Sequence, residues 1–261
     1  MCPYNPGDVV ATSGSCQIGW NRQLGGKVQV IEMRVGKCTV LAILAIMVVF
    51  ARCATAAPLF KGSEKIPADA IVLFDGKDLS KWVQCGTENP VGWTLRDGYV
   101  EVKPGTGYMC TKQEFTDVQL HLEFWLPLMA DAKGQARANS GVYLQGRYEI
   151  QVLDSYGLKS EAGDCGGVYG VAAPLVKACR PPETWQSFDI VFHAPKFDAQ
   201  GKQTSKARAT VFQNGVLIHE NTEWPEPGRA ALDNDSKLPG PISLQDHSCL
   251  VRYRNIWVRP L

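Results

Sequence analysis

The chain has 261 residues, with 27 lysines and arginines against 26 aspartates and glutamates, which gives a formal net charge of +1. This balance excludes a nucleic-acid-binding protein that relies on bulk positive charge. Hydrophobic residues make up 45% and charged residues 20%, which is the composition of a folded globular protein and not of a disordered one.

The first feature along the chain is a short apolar run at Thr39–Phe50, preceded by Arg34 and Lys37 and followed by the small residues Ala54–Ala57. A membrane-spanning helix needs about 20 residues, so this run is too short to cross a bilayer. A charged start, an apolar middle and a small-residue exit are typical of a secretory signal peptide, and a buried core helix is the alternative.

The position of this apolar run divides the chain into three parts. Residues 1–32 are polar and Gly-rich, and we interpret them as a misannotated upstream extension. Residues 33–57 form the predicted signal peptide, and residues 58–261 form a single predicted domain because no polar linker divides them. Arg52 precedes Cys53 where a lipoprotein anchor would call for a small residue, so no membrane anchor is expected after cleavage. We expect an exported protein, either periplasmic or extracellular.

Cysteines of the mature domain can form disulfides outside the cytoplasm. Cys85 with Cys110, and Cys165 with Cys179, bracket short loops and are the preferred pairs, which leaves Cys249 over. The sequence does not fix this connectivity. No CxxC or HExxH motif occurs, so a zinc site has no support.

From Ala70 onward, apolar and polar residues alternate, and Gly, Pro, Asn or Asp break the pattern about every eight to twelve residues. Asn214-Gly215 lies between two such runs and is the strongest hairpin signal of the chain. Short alternating strands with frequent turns predict an all-β sandwich or barrel. The predicted strands include Val118–Leu126, Val142–Leu144, Tyr148–Val152, Phe188–Phe192, Ala209–Phe212, Val216–Ile218, Ile242–Gln245 and Val251–Arg254.

Three long loops are also predicted, and loops of this length in a compact domain are usually functional or mobile. They are Met129–Ala138, Asp154–Gly163 and Thr222–Gly240.

Candidate functional residues follow from the alternation of side chains along a strand. It places Glu149 and Gln151 on the face opposite the apolar residues of their strand, with Asp154 at the strand's end. The same rule turns Asn139 and Tyr143 outward on the preceding strand and puts Gln245 and His247 on one face further along. We expect Glu149, Gln151, Asn139 and His247 to lie on one polar sheet surface. Arg254, at the end of the predicted strand Val251–Arg254, is expected to join them there.

Several motifs follow in order along the chain, including Leu73–Trp82 (LFDGKDLSKW), Asn139–Tyr143 (NSGVY), Tyr148–Asp154 (YEIQVLD) and Gly240–His247 (GPISLQDH). Together they resemble the bacterial 3-keto-disaccharide hydrolase family. The resemblance extends from about Ile71 to Pro260. It implies a concanavalin A-like jelly-roll β-sandwich of two antiparallel sheets, which agrees with the strand pattern.

The resemblance also implies an activity on a small-molecule carbohydrate, a glycoside that carries a ketone at C3. The ketone acidifies the hydrogen on C2, so a base can remove it and expel the C1 substituent by β-elimination, after which water can add. Glu149 or His247 is the expected base. Asn139, Gln151, Tyr143 and Arg254 are expected to hold the sugar or the enolate oxygen, and Asp154 to act as an acid or a cation ligand.

Two other functional classes stay open at this stage. A retaining or inverting glycosidase would need a second carboxylate facing Glu149, and Gln151 stands where such a strand would carry one. A non-catalytic carbohydrate-binding module would instead use aromatic residues such as Tyr143 or Tyr169. Metal dependence stays open: the sequence establishes no cofactor, and Ca²⁺ could bind loop carboxylates such as Asp154, Asp164 or Asp246.

Overall fold

The protein is described by a computed structural model over residues 66–261, so the predicted signal peptide at 33–57 and the extension at 1–32 lie outside the described residues. Short strands follow one another along the chain, as the alternating pattern predicts, and the one helix among the described residues is a single 3-10 turn at Gly134–Ala136. The strands are β1 (Ile71–Phe74), β2 (Trp82–Gln84), β3 (Thr94–Arg96), β4 (Tyr99–Glu101), β5 (Met109–Phe115), β6 (Val118–Trp125), β7 (Ser140–Leu144), β8 (Tyr148–Val152), β9 (Gln186–His193), β10 (Lys196–Phe197), β11 (Gln203–Ser205), β12 (Arg208–Gln213), β13 (Val216–Glu223), β14 (Gly240–Leu244) and β15 (Arg252–Pro260).

Two antiparallel sheets contain most of these strands. The larger sheet has eight strands in the order β13-β12-β9-β6-β15-β4-β3, with β1 also paired to β15. The smaller sheet has five strands in the order β2-β5-β14-β7-β8, and β10 pairs with β11 in a separate ribbon. The predicted all-β, concanavalin A-like jelly-roll sandwich is therefore confirmed.

The core lies between the inner faces of the two sheets, because alternate residues of each strand turn the same way. Val142, Ile150 and Leu244 of the five-stranded sheet are fully buried in one cluster with Leu122 and Phe188 of the larger sheet. Burial of each such side chain contributes about 1.5–3 kcal/mol to folding. Because this packing takes up the inner face of β7 and β8, their polar side chains lie on the outer face.

Tight turns hold neighbouring strands in register. Asn214 and Gly215 both have positive φ, 53° and 78°, which matches the hairpin predicted between β12 and β13. Gln145 and Gly146 have φ of 53° and 65° between β7 and β8. A side chain on Gly146 would collide with Leu232, so the hairpin end is pressed against the loop that precedes β14.

One of the two preferred cysteine pairs is bonded. Cys85 and Cys110 form a disulfide that ties the end of β2 to β5. Cys165 and Cys179 do not pair in this structure: with Cys249 they are free thiols, and Gln213 donates a hydrogen bond to the Cys165 sulfur at 3.3 Å. Among residues 66–261, no helix is long and apolar enough to span a bilayer.

Candidate active site

The outer face of the five-stranded sheet carries the polar side chains that the strand alternation turns away from the core. In the β7–β8 ladder, Tyr143 pairs with Glu149 and Gly141 pairs with Gln151. These residues are buried even though they face away from the core: Glu149 is 5% exposed and Gln151 is 1% exposed. Loops therefore cover this face, and the cover turns a polar sheet surface into a cavity.

Glu149 is held by a chain of hydrogen bonds across three strands. The side-chain amide of Gln245 donates to the hydroxyl of Tyr143 at 3.0 Å and to that of Tyr108 at 2.8 Å. The Tyr143 hydroxyl in turn donates to the Glu149 carboxylate. Burial raises the pKa of Glu149 from 4.5 to about 7, and the Tyr143 hydrogen bond offsets part of that rise. Glu149 is thus fixed in place and able to exchange a proton near neutral pH.

Gly141 leaves the space that the Glu149 carboxylate occupies. A Cβ atom on Gly141 would lie 2.5 Å from Oε1 of Glu149 and 2.8 Å from Cε2 of Tyr143. Both distances are far shorter than van der Waals contact, so a larger residue would displace these two side chains. The glycine of the NSGVY motif therefore has a direct role in shaping the cavity.

Gln135, in the 3-10 turn, connects two further polar residues of the same face. The Asn139 amide donates to the side-chain oxygen of Gln135 at 3.1 Å, and the Gln151 amide donates to the same oxygen at 2.9 Å. Gln135 then donates to the backbone oxygen of Gly163 at 2.8 Å. The two loops that contain Gln135 and Gly163 are in this way joined to each other and to β8.

These residues surround a cavity of about 310 Å³, which is near the lower end of small-ligand sites at roughly 300 Å³. We refer to this candidate for the site of reaction as the catalytic cavity. Glu149 is the only carboxylate among the described residues of its wall, and it lies there with exposed His247 and exposed Arg229. The lining residues are Tyr108, Gln135, Asn139, Tyr143, Glu149, Gln151, Tyr169, Arg229, Ala230, Gln245 and His247.

Most of the residues selected from the sequence meet at this cavity, but two do not. Those that line it are Asn139, Tyr143, Glu149, Gln151 and His247. Asp154 lies at the end of β8 with 1% exposure, where Arg137 holds its carboxylate at 2.6 Å.

Arg254 belongs to β15 of the larger sheet, so the expectation that it joins Glu149 is corrected. Its guanidinium contacts Glu123 at 2.7 Å and stacks 4.0 Å from the ring of Trp185. The prediction assumed that β15 follows β14 in the same sheet. The chain instead crosses to the other sheet between the two strands.

Sequence reasoning also missed residues that complete the cavity. Gln135 and Arg229 come from two of the long loops, and Tyr108 comes from the segment before β5. The length of the loops at Met129–Ala138 and Thr222–Gly240 was the available signal for the first two. No pattern in the sequence distinguishes these side chains from other polar loop residues.

The aspartates considered for Ca²⁺ do not form a common site. Asp154 binds Arg137, Asp164 accepts from the backbone of Glu161, and Asp246 accepts from the backbone amides at positions 106 and 107. Within residues 66–261, no three His, Cys, Asp or Glu side chains are grouped so that they could hold a metal ion. The residues present therefore do not fit a carboxylate-rich calcium site, and no chemical step below depends on one.

Comparisons with known proteins agree with this fold. A family model for the 3-keto-alpha-glucoside-1,2-lyase-like domain matches residues 69–259. A candidate glycosyl hydrolase from Parabacteroides distasonis, solved at 2.13 Å, has 39% identity and a TM-score of 0.68, with 75% of this chain and 85% of that chain covered.

A second such protein from the same organism, solved at 1.70 Å, shares the fold at 20% identity with a TM-score of 0.55, over 74% of this chain and 94% of its own. No curated protein sequence matches the chain significantly.

Proposed function

The chain belongs to the 3-keto-alpha-glucoside-1,2-lyase-like family of carbohydrate-active proteins, and from this premise we propose that it cleaves 3-keto-glucosides by elimination. The observation that carries the proposal is one buried carboxylate, Glu149, in a cavity of sugar-binding size. Elimination next to a ketone needs one base, whereas ordinary glycosidases need two carboxylates on opposite sides of the anomeric carbon.

The proposed reaction begins with transfer of the C2 proton to the Glu149 carboxylate. The electrons of the C2–H bond delocalise into the C3 ketone as an enolate. They then form the C1–C2 double bond as the C1–O bond breaks, and the leaving oxygen keeps the electron pair of that bond. One proton returns to the leaving oxygen, so the products are an unsaturated ketosugar and an alcohol. Later addition of water across the double bond would make the net result a hydrolysis.

Glu149 is suited to the role of base because its pKa of about 7 lets the carboxylate take up a proton near neutral pH. A carboxylate with its ordinary pKa would be a weaker base toward a C–H proton. The cavity makes the Glu149 carboxylate a stronger base because it excludes water. Tyr143 supports the role because its hydroxyl orients the carboxylate.

Other polar groups of the cavity are assigned to the substrate. Asn139 and Gln151 are placed to hold sugar hydroxyls, and the hydroxyl of Tyr108 is a donor for the enolate oxygen. Arg229 takes the role that Arg254 was expected to fill, since it brings a positive charge to the same wall. His247 is assigned to protonate the leaving oxygen, because it lies exposed at the edge of the cavity.

We also propose that the protein acts outside the cytoplasm. The Cys85–Cys110 disulfide supports this location, because such bonds persist mainly in oxidising compartments. The signal-peptide pattern of residues 33–57 points the same way.

The test uses methyl 3-keto-glucoside in deuterated water, with NMR to follow both deuterium entry at C2 and loss of methanol. We expect Glu149→Gln to slow both by roughly 100-fold or more, because a general base contributes 10²–10⁴-fold. Glu220→Gln, an exposed carboxylate on the other sheet, is the control and keeps wild-type rates. Wild-type exchange in Glu149→Gln would remove Glu149 as the base, and a wild-type protein that neither exchanges the C2 proton nor releases methanol would be a carbohydrate-binding module.

His247 is tested through the leaving group. We expect His247→Ala to slow loss of methanol by about 10-fold or more while p-nitrophenol, which needs no acid to depart, leaves at nearly the wild-type rate. An equal loss for both leaving groups would exclude His247 as the acid.

A further inference from the structure

Two free thiols lie against each other near the end of β8. Cys165 is 3% exposed, and Cys179, from a later part of the chain, is half-buried. The two side chains contact each other as hydrogen-bonding partners. The backbone of Leu153 contacts both sulfurs, and its oxygen lies 4.0 Å from the sulfur of Cys179. The two sulfurs are therefore neighbours in the folded chain, although no bond joins them in this structure.

Polar groups from three parts of the chain hold the two thiols in this position. The Ser155 hydroxyl accepts from the backbone N–H of Cys165 at 3.1 Å, and the Ser155 side chain also contacts Cys179. The Gln213 amide donates to the Cys165 sulfur at 3.3 Å and to the side-chain oxygen of Gln186 at 3.2 Å. Gln186 in turn contacts the Cys179 side chain. Because both glutamines belong to the larger sheet, the thiols lie where the segment after β8 meets that sheet.

The two thiols differ in acidity and in access. The hydrogen bond from Cys165 lowers the pKa of the Cys179 thiol, whereas burial raises the pKa of the Cys165 thiol. The thiolate is the nucleophile in thiol–disulfide exchange, so a lower pKa and greater exposure favour Cys179 as the first sulfur to react. Cys165 is shielded from reagents in solution but touches Cys179, which suits it to the second step.

We propose that Cys165 and Cys179 are an oxidation site, which forms a second disulfide by exchange with a disulfide oxidant such as oxidised glutathione. The Cys179 thiol loses its proton, its sulfur attacks one sulfur of the oxidant, and the other sulfur leaves as a thiolate. The Cys165 thiol then loses its proton, and its sulfur attacks Cys179, which breaks the mixed disulfide and releases the second thiolate. The pair gives up two electrons and two protons, and the oxidant takes up both. This inference does not depend on the proposed elimination.

The new bond affects the segment 163–169, which runs beside β8. The Gly166 N–H donates to the backbone oxygen of Gln151 at 2.8 Å, so this segment is hydrogen-bonded to the strand. Tyr169 of the same segment lines the catalytic cavity. A bond at Cys165 therefore ties part of the cavity wall to the loop that packs on the larger sheet, and oxidation makes that wall less mobile.

The first test maps the disulfides of the full chain, which is produced with its thiols reduced and then exposed to oxidised glutathione. We expect a linked Cys165–Cys179 peptide in the wild type. The control Cys249→Ser, which removes the third free thiol of the described residues, should give the same peptide. Cys165→Ala should instead accumulate glutathione on Cys179, and Cys179→Ser should leave Cys165 unmodified. A wild type without the linked peptide, or a Cys179→Ser variant modified at Cys165, would overturn the inference.

The second test measures what the bond does to the fold. Thermal unfolding is compared before and after oxidation in the wild type and in Cys179→Ser, since the Cys85–Cys110 disulfide can form in both. We expect oxidation to raise Tm by roughly 5–10 °C more in the wild type, because the second bond closes a loop of about 15 residues. Hydrogen exchange at the Gly166 amide should slow by about 10-fold or more in the wild type alone. Equal shifts in Tm, or unchanged exchange at Gly166, would contradict a role for the bond in holding the cavity wall.

Discussion

Burial of Glu149 raises its pKa from 4.5 to about 7, so the ionised carboxylate is unfavourable in the folded protein. The unfolded chain releases this proton near pH 4.5, whereas the folded protein keeps it until about pH 7. Between these values the folded state binds more protons than the unfolded state, and the free energy of unfolding falls as the pH rises. The residue proposed as the catalytic base therefore reduces stability above neutral pH.

Glu149→Gln should remove this penalty, because the amide has a similar shape and no charge to desolvate. We expect the variant to be more stable than the wild type at pH 8, by up to about 3 kcal/mol, and nearly equal to it at pH 4.5. Urea unfolding at the two pH values measures the difference. A stability difference that is the same at both values would mean that the carboxylate is not desolvated.

Gly141 acts through the position of Glu149, and this role can be separated from a general effect on folding. Gly141→Ala should lower kcat by about 100-fold, since displacement of a catalytic group by about 1 Å has that effect. It should also destabilise the fold by about 1–3 kcal/mol through overpacking. In a Glu149→Gln background the same change should cost little further activity. Additive losses in the double variant would contradict the steric explanation.

At the scale of elements, both strands and loops contribute side chains to the cavity. The strands β7 and β8 present Tyr143, Glu149 and Gln151, but Gln135 and Arg229 reach the cavity from loops. The loop at 224–239 is attached to the β7–β8 hairpin by Arg147, whose side chain is 3% exposed and contacts Asp233 at 2.6 Å. Arg147 also donates to the backbone oxygen of Leu238 at 3.0 Å. This buried arginine keeps the loop over the sheet.

Asp233→Ala should leave the Arg147 guanidinium buried without its counter-charge. We expect a loss of about 2 kcal/mol in the free energy of unfolding, below the value for a fully buried pair because Asp233 is 49% exposed. Elimination activity should fall as well, because Arg229 lies four residues earlier in the same loop. Chemical denaturation and the methyl 3-keto-glucoside assay measure the two effects.

Asp235→Ala is the matched control, since Asp235 is exposed in the same loop and its carboxylate accepts, among the described residues, only from the backbone of Lys237. A similar loss in both variants would show that the loop itself, and not the Arg147 contact, is sensitive to substitution.

For the whole molecule, the two sheets have different outer faces. On the eight-stranded sheet, Arg252 stacks 4.0 Å from the Trp125 ring and Arg254 stacks 4.0 Å from the Trp185 ring, and each arginine pairs with a glutamate. The charged groups of that face are therefore stacked on aromatic rings and paired with opposite charges. At the outer face of the five-stranded sheet, Glu149 of β8 and Arg229 of the covering loop have no such ionic partner among the described residues, and both line a cavity. This contrast supports the proposed site on the smaller sheet.

The sequence by itself determined the eight strands β6–β9 and β12–β15, the Asn214-Gly215 hairpin and the facing of Glu149 and Gln151, because strand alternation and turn chemistry are local. Only the tertiary structure decided that Arg254 belongs to the other sheet and that Arg229 stands at the cavity instead. It also decided the burial of Glu149 and hence its raised pKa. The physical reason is that strand order and loop cover depend on contacts between distant parts of the chain, which no local pattern contains.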